Sequence, residues 1–257
     1  MASKKKLLQA AAGAAGGAGL DIPEVFSTYV YDGTGSAQTI TNGIDLSGEG
    51  GLVWTKKRSG SSATSHVLHD SARGVTKGLI TDTTGAEIDY TVSGVTSFNS
   101  SGYVLGTGNA WNNSDSTYVS WTWRKAPKFF DIVTYTGDGN DNRTVSHNLG
   151  SSPGMVVVKR TDSADSWIVL HRSASSSNLF LNLTSAASST LRIKSMNSTT
   201  FTLGTNAQVN GNGSTYVAYL FAHNDGDGEF GPDSDQDVVK CGSYTGNGST
   251  TGPEINL

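Results

Sequence analysis

The apolar positions of this chain come in short runs of Val, Thr, Tyr, Trp and Ile, separated by clusters of Gly, Asn and Ser. Runs of that kind, bounded by turn formers, predict many short β-strands. The clearest is F-D-I-V-T-Y-T-G-D-G, Phe130 to Gly139, where a β-rich run stops on Gly137 and Gly139. The phrase occurs earlier as F-S-T-Y-V-Y-D-G-T-G (Phe26 to Gly35) and later as V-K-C-G-S-Y-T-G-N-G (Val239 to Gly248). Three copies make it the opening strand and turn of a repeated unit.

The correspondence extends past the opening. Gly51-Leu-Val-Trp-Thr-Lys-Lys-Arg58 matches Gly154-Met-Val-Val-Val-Lys-Arg160, and Val67-Leu-His69 matches Val169-Leu-His171. Tyr103-Val-Leu-Gly106 matches Phe201-Thr-Leu-Gly204, and Ser116 to Trp123 matches Ser214 to Phe221. In the last of these, Tyr118, Ser120 and Thr122 share one strand face while Val119, Trp121 and Trp123 share the other. First and last strands of similar length and character suit pairing in one sheet. Strands near 52–58, 65–69, 78–81, 88–93 and 102–106 lie between them. The predicted fold is all-β: tandem antiparallel β-sandwich units, jelly-roll or lectin-like, preceded by a short N-terminal anchoring arm. The Cys…Trp…Cys signature of immunoglobulin domains is absent. The expected division is an arm at 1–22, unit 1 at 23–127, unit 2 at 128–224, an acidic linker at 225–236 and an incomplete third unit at 237–257. A lone strand and turn cannot bury a core. The third start therefore points to a polypeptide that continues, or else to strand addition onto a neighbour.

Composition changes this picture little. Hydrophobic residues are 35% and charged residues 16%, but aromatics at 9% and a net charge of only −4 argue against disorder. The charge gives no reason to expect nucleic-acid binding. A single cysteine, Cys241, excludes an intrachain disulfide and a Cys-based zinc site. Residues 1–20 stand apart: Lys4, Lys5 and Lys6 precede Leu7, Leu8 and an Ala/Gly stretch. The stretch superficially resembles a signal peptide, yet it is too weakly apolar to insert in a membrane. It reads as a docking arm whose contacts are Lys4, Lys5, Lys6, Leu7 and Leu8.

Candidate chemistry is sparse. Asp225, Asp227 and Glu229, interleaved with glycines, resemble a calcium loop but miss the EF-hand spacing, so a solvated linker and no cofactor is the expectation. His69 and His171, at matching places, read as hydrogen-bonded structural histidines. Neither a G-x-S-x-G nucleophile elbow nor H-E-x-x-H occurs, and the chain reads as non-enzymatic. Trp54 and Trp121 fall in strands and read as core. Trp111, in the polar loop G-N-A-W-N-N, is the residue nominated as an exposed glycan contact.

The arm MASKKKLLQAAAGAAGGAG, the T-Y-T-G-D-G turn, the S-P-G-M-V-V-V-K-R and S-T-Y-V-A-Y-L-F-A strands and the D-V-V-K-C-G-S-Y-T-G-N-G restart together resemble large tandem-repeat virion proteins of marine, notably cyanobacterial, tailed phages. The resemblance spans essentially the whole chain and carries no defined active site. It implies a tail fibre or tail-associated appendage located in the virion and assembled in the host cytoplasm. The arm would face other virion proteins of the tail or capsid, and the chain would form a homo-oligomer, a trimer being usual for phage fibres. The alternative is a lectin-like adhesin recognising host surface glycans.

Overall fold

A computed structural model describes residues 19–60 and 62–255. The docking residues Lys4, Lys5, Lys6, Leu7 and Leu8 lie outside that range. The fold is all-β with several antiparallel sheets, and among the described residues no helix is long and apolar enough to cross a membrane.

After a single helical turn α1 (Ile22–Val25), nine strands follow: β1 (Phe26–Asp32), β2 (Gln38–Thr41), β3 (Gly51–Ser59), β4 (Val67–Asp70), β5 (Lys77–Ile80), β6 (Ile88–Asp89), β7 (Val95–Asn99), β8 (Gly102–Leu105) and β9 (Thr117–Arg124). A short helix α2 (Asn109–Asn112) precedes β9. The second set is β10 (Phe130–Thr136), β11 (Arg143–Ser146), β12 (Pro153–Arg160), β13 (Ile168–His171), β14 (Leu179–Phe180), β15 (Ile193–Met196), β16 (Thr200–Leu203) and β17 (Thr215–Ala222), with α3 (Ala207–Asn210) before β17. The sheet orders are β1-β9-β3-β4-β5-β6 with β2-β8-β7, then β10-β17-β12-β13-β14 with β11-β16-β15. The first and last strands of each set pair along their full length, Phe26 opposite Trp123 and Phe130 opposite Phe221.

Three cores result, because both faces of the large sheets are apolar. In the first set Tyr31, Ile40, Val53, Tyr103, Leu105 and Tyr118 join the six-stranded sheet to its three-stranded partner. Val145, Val156, Phe201, Leu203, Tyr216 and Leu220 do the same in the second. The opposite faces of the two large sheets meet in a third core containing Leu52, Leu68, Phe130, Val157, Trp167 and Tyr219, with Trp54, Trp123 and Phe221 packed on it. Alternation along β9 and β17 thus serves two cores at once. This central seam joins the units without a flexible joint, and Ala126 and Phe129 of the connection are themselves buried in it.

The repeated turn is held by a buried socket. Tyr31 stacks on Tyr118 with centroids 5.2 Å apart and donates its hydroxyl to the Trp111 carbonyl at 3.0 Å. Tyr135 stacks on Tyr216 at 5.1 Å and donates to the Val209 carbonyl at 2.7 Å. Asn112, fully buried, accepts from the Thr34 N–H at 2.8 Å and donates to the Gly106 carbonyl at 2.8 Å. Asn210 repeats this with the Asp138 N–H at 3.0 Å and the Gly204 carbonyl at 3.2 Å. Glycine is required in the turn: a Cβ on Gly33 would lie 2.0 Å from the Asn113 oxygen, and one on Gly137 2.1 Å from the Gly211 oxygen. Gly35 and Gly139 take the left-handed φ of +70° and +71°.

Two expectations change here. The third copy, Val239 to Gly248, forms no strand: Tyr244 is 70% exposed and Gly246 has no neighbour within 4 Å of a Cβ position. β1 and β10 are held by the closing strands β9 and β17, whereas among the described residues no strand lies beside Val239 to Gly248. The acidic stretch is also not a free linker. It closes on itself through a Phe230–Gln236 bridge, and the buried Phe230 ring packs on Phe129 at 5.9 Å in the central seam.

Candidate functional site

Trp111 is not an exposed contact. It is 3% exposed, with Tyr90 edge-on at 4.6 Å and His69 at 5.6 Å. Its backbone carbonyl accepts the Tyr31 hydroxyl, which anchors its short helix against the core. The sequence held a signal for this: the matching position of the second unit is Val209, also a core residue.

The two histidines are not equivalent either. Leu52 pairs with Asp70 on β4, whereas Met155, its counterpart on β12, pairs with His171 on β13. A one-residue slip reverses every face, so Leu170 occupies the place of His69, and His171 that of Asp70. His69 is fully buried beside Trp111 and Tyr90, and neither of its ring nitrogens has a hydrogen-bond partner, contrary to the expected satisfied histidine. Burial, with Arg73 nearby, holds its pKa down to about 3. His171 is half-buried and its Nδ1 accepts from the Ser173 N–H at 3.1 Å, as Asp70 accepts from the Ala72 N–H at 3.0 Å.

Sequence reasoning missed the polar centre of the seam. Asp70, fully buried, accepts from Arg73 Nε at 2.6 Å and from the Tyr219 hydroxyl of the other unit at 2.7 Å. Arg73 also donates to Glu87 at 2.9 Å, and the Glu87 N–H donates to the Thr161 carbonyl at 2.9 Å. Trp167 Nε1 donates to the Ile80 carbonyl at 3.1 Å. Lys159, its pKa lowered to about 8 chiefly by desolvation, donates to the Thr84 carbonyl at 3.3 Å. These partners come from strands and loops that no short-range pattern links.

The acidic side chains of the calcium-like stretch are engaged within the protein. Asp225 faces Lys240 at 3.6 Å, Glu229 faces Lys128 at 2.9 Å, and Asp227 accepts from the Asp225 N–H at 3.2 Å. Among the described residues no group of three or more His, Cys, Asp or Glu side chains is arranged to hold a metal ion.

A cleft of about 550 Å³ opens at the end of the second unit. Ser151 and Ser152 reach it from the loop before β12, Pro153 from the start of β12, Leu170 from β13, Arg172 and Ser175 from the turn after it, and Lys194, Ser195 and Met196 from β15. His223, Asp225 and Asp227 close the far side. The His223 ring lies against the Arg172 guanidinium, and its Nδ1 accepts from the Cys241 N–H at 3.0 Å. Desolvation and Arg172 lower the His223 pKa, favouring the neutral ring. In the first unit the corresponding loop sends Ile44 and Leu46 into the core, while in the second only Leu149 of residues 147–152 joins the apolar core. A smaller cleft of about 330 Å³ lies over the seam beside Arg73 and Glu87.

Neither a curated protein nor a solved structure matches the chain. A family model matches residues 22–256, nearly the whole chain. The chain belongs to that family, the domain of unknown function DUF7483.

Proposed function

We propose that the protein is a non-enzymatic structural part of a tailed-phage virion, a fibre or appendage built from two jelly-roll-like or lectin-like β-sandwich units. Residues 1–22 dock it on the particle and the units project outward as a symmetric homo-oligomer, with a trimer favoured. The observation that carries this reading is the central seam. The units share one apolar core across their large sheets, stitched by Tyr219–Asp70 and Trp167–Ile80, so the pair is stiff. Inter-domain contacts within a chain are by default smaller and more polar, and leave domains free to move. A rigid rod is what an extended particle component needs.

The test is localisation. Gold-labelled antibody raised against residues 19–255 should decorate purified particles of the phage that encodes the chain, at an appendage. Deleting residues 1–20 should leave folded units that no longer join particles. Label confined to soluble lysate, or normal incorporation of the deletion, overturns the assignment or the docking arm respectively.

A further inference from the structure

We infer that the cleft between β13, β15 and His223 is a binding site for a neutral saccharide, independent of how the chain is mounted. Its volume, about 550 Å³, falls within the range of small-molecule sites. Its charges are balanced and largely committed. Lys194 is paired with Asp141 at 2.5 Å and donates to Asn142 at 2.9 Å, and Asp225 faces Lys240 at 3.6 Å. Arg172 and Lys194 line it together with Asp225 and Asp227, and the lowered pKa of His223 favours its uncharged ring. Two cations and two carboxylates thus line the cleft, a balance that gives a phosphate, sulfate or uronate no advantage.

What the cleft offers is hydroxyl groups over an apolar floor. Ser151, Ser152, Ser175 and Ser195 line it together with Leu170, Pro153 and Met196. Ser151 is only 8% exposed, and its Oγ has no protein partner. An unsatisfied buried hydroxyl is unusual in a protein interior, and here it borders a cleft. A sugar presents the complementary pattern, hydroxyls that both donate and accept around an apolar C–H face. In the first unit Thr96 and Phe98 stand where Lys194 and Met196 line the cleft, which makes the site a property of the second unit.

Ligand-observed NMR on the full chain, with a panel of neutral, uronate-containing and sulfated oligosaccharides, tests this. Neutral members should bind with a Kd of about 1 mM or tighter. Ser195→Trp, which fills the cleft from an exposed position, should weaken binding at least about tenfold, a loss of about 1.4 kcal/mol, without changing the melting temperature. Saccharide binding that survives Ser195→Trp, binding confined to the anionic members, or no binding by any member overturns the site. Loss of binding in Ser195→Trp counts only if a second filling variant, Ser175→Trp, repeats it. Normal binding in that second variant also overturns the site.

Discussion

The ends of β4 and β13 occupy the same place in the two units and do opposite things. β4 ends His69–Asp70, where an unpartnered imidazole enters the inner core and a carboxylate enters the seam. β13 ends Leu170–His171, where an aliphatic chain fills the inner core and an imidazole only caps the next turn. The frame is shared; the electrostatics are not. One of the two matching strand ends joins the large sheets, while the other lies beside an open cleft.

Breaking the joint should have the largest effect. Arg73→Ala leaves Asp70 buried and without its cation, and removing one partner of a buried ion pair costs about 3–5 kcal/mol. Urea unfolding should show that loss, whereas Arg172→Ala, exposed in the turn just after β13, should stay within about 0.5 kcal/mol of wild type. Equal effects would remove the distinction between the two strand ends.

Trp111→Ala should cost about 3–5 kcal/mol, as large-to-small changes of buried aromatics do. A surface residue would not register in the same unfolding measurement.

The acid limb of stability sharpens the comparison further. Folded His69 stays neutral down to about pH 3, while the unfolded chain binds the proton near 6.5. The unfolded state therefore holds more protons in that window, and stability falls as pH drops from about 6.5 to 3, by about 1.4 kcal/mol per pH unit. His69→Leu, which gives β4 the residue β13 carries, should make the limb shallower in pH-dependent urea melts. An unchanged slope would mean that His69 is not the group responsible. His171→Leu should change the slope less, since His171 is half in solvent.

The smallest contrast concerns the turns. Gly33→Ala and Gly137→Ala drive a Cβ into a carbonyl oxygen and should lower the melting temperature by several degrees, on the order of 1 kcal/mol or more. Gly246→Ala, in the third copy, meets nothing and should leave it unchanged. Thermal melts of all three decide whether that third turn is as free as its surroundings indicate.

Much of the fold was legible because strand periodicity and turn glycines are local signals. The repeated Y-x-G-x-G phrase located the opening strands, and the Y-V-S-W-T-W alternation identified closing strands with two distinct faces. The site was less legible. Trp111 looked exposed because its neighbours in sequence are polar, while the rings that cover it, Tyr90 and His69, come from other strands. His69 and His171 looked equivalent because aligned letters do not record pairing register. The cleft could not be read at all, since its walls come from three separate loops and strands of unrelated sequence.

The sequence by itself determined the all-β character, the recurring strand-and-turn phrases and the residues able to turn, because each depends on side-chain chemistry within a few positions. Only the tertiary structure decided what each apolar face covers. Alternation states that a strand has two sides, and it cannot say that one of them meets another unit. The same limit applies to the third opening phrase. Its residues are fit to be a strand, but β1 and β10 have β9 and β17 beside them, and among the described residues no strand lies beside the third phrase, which forms none.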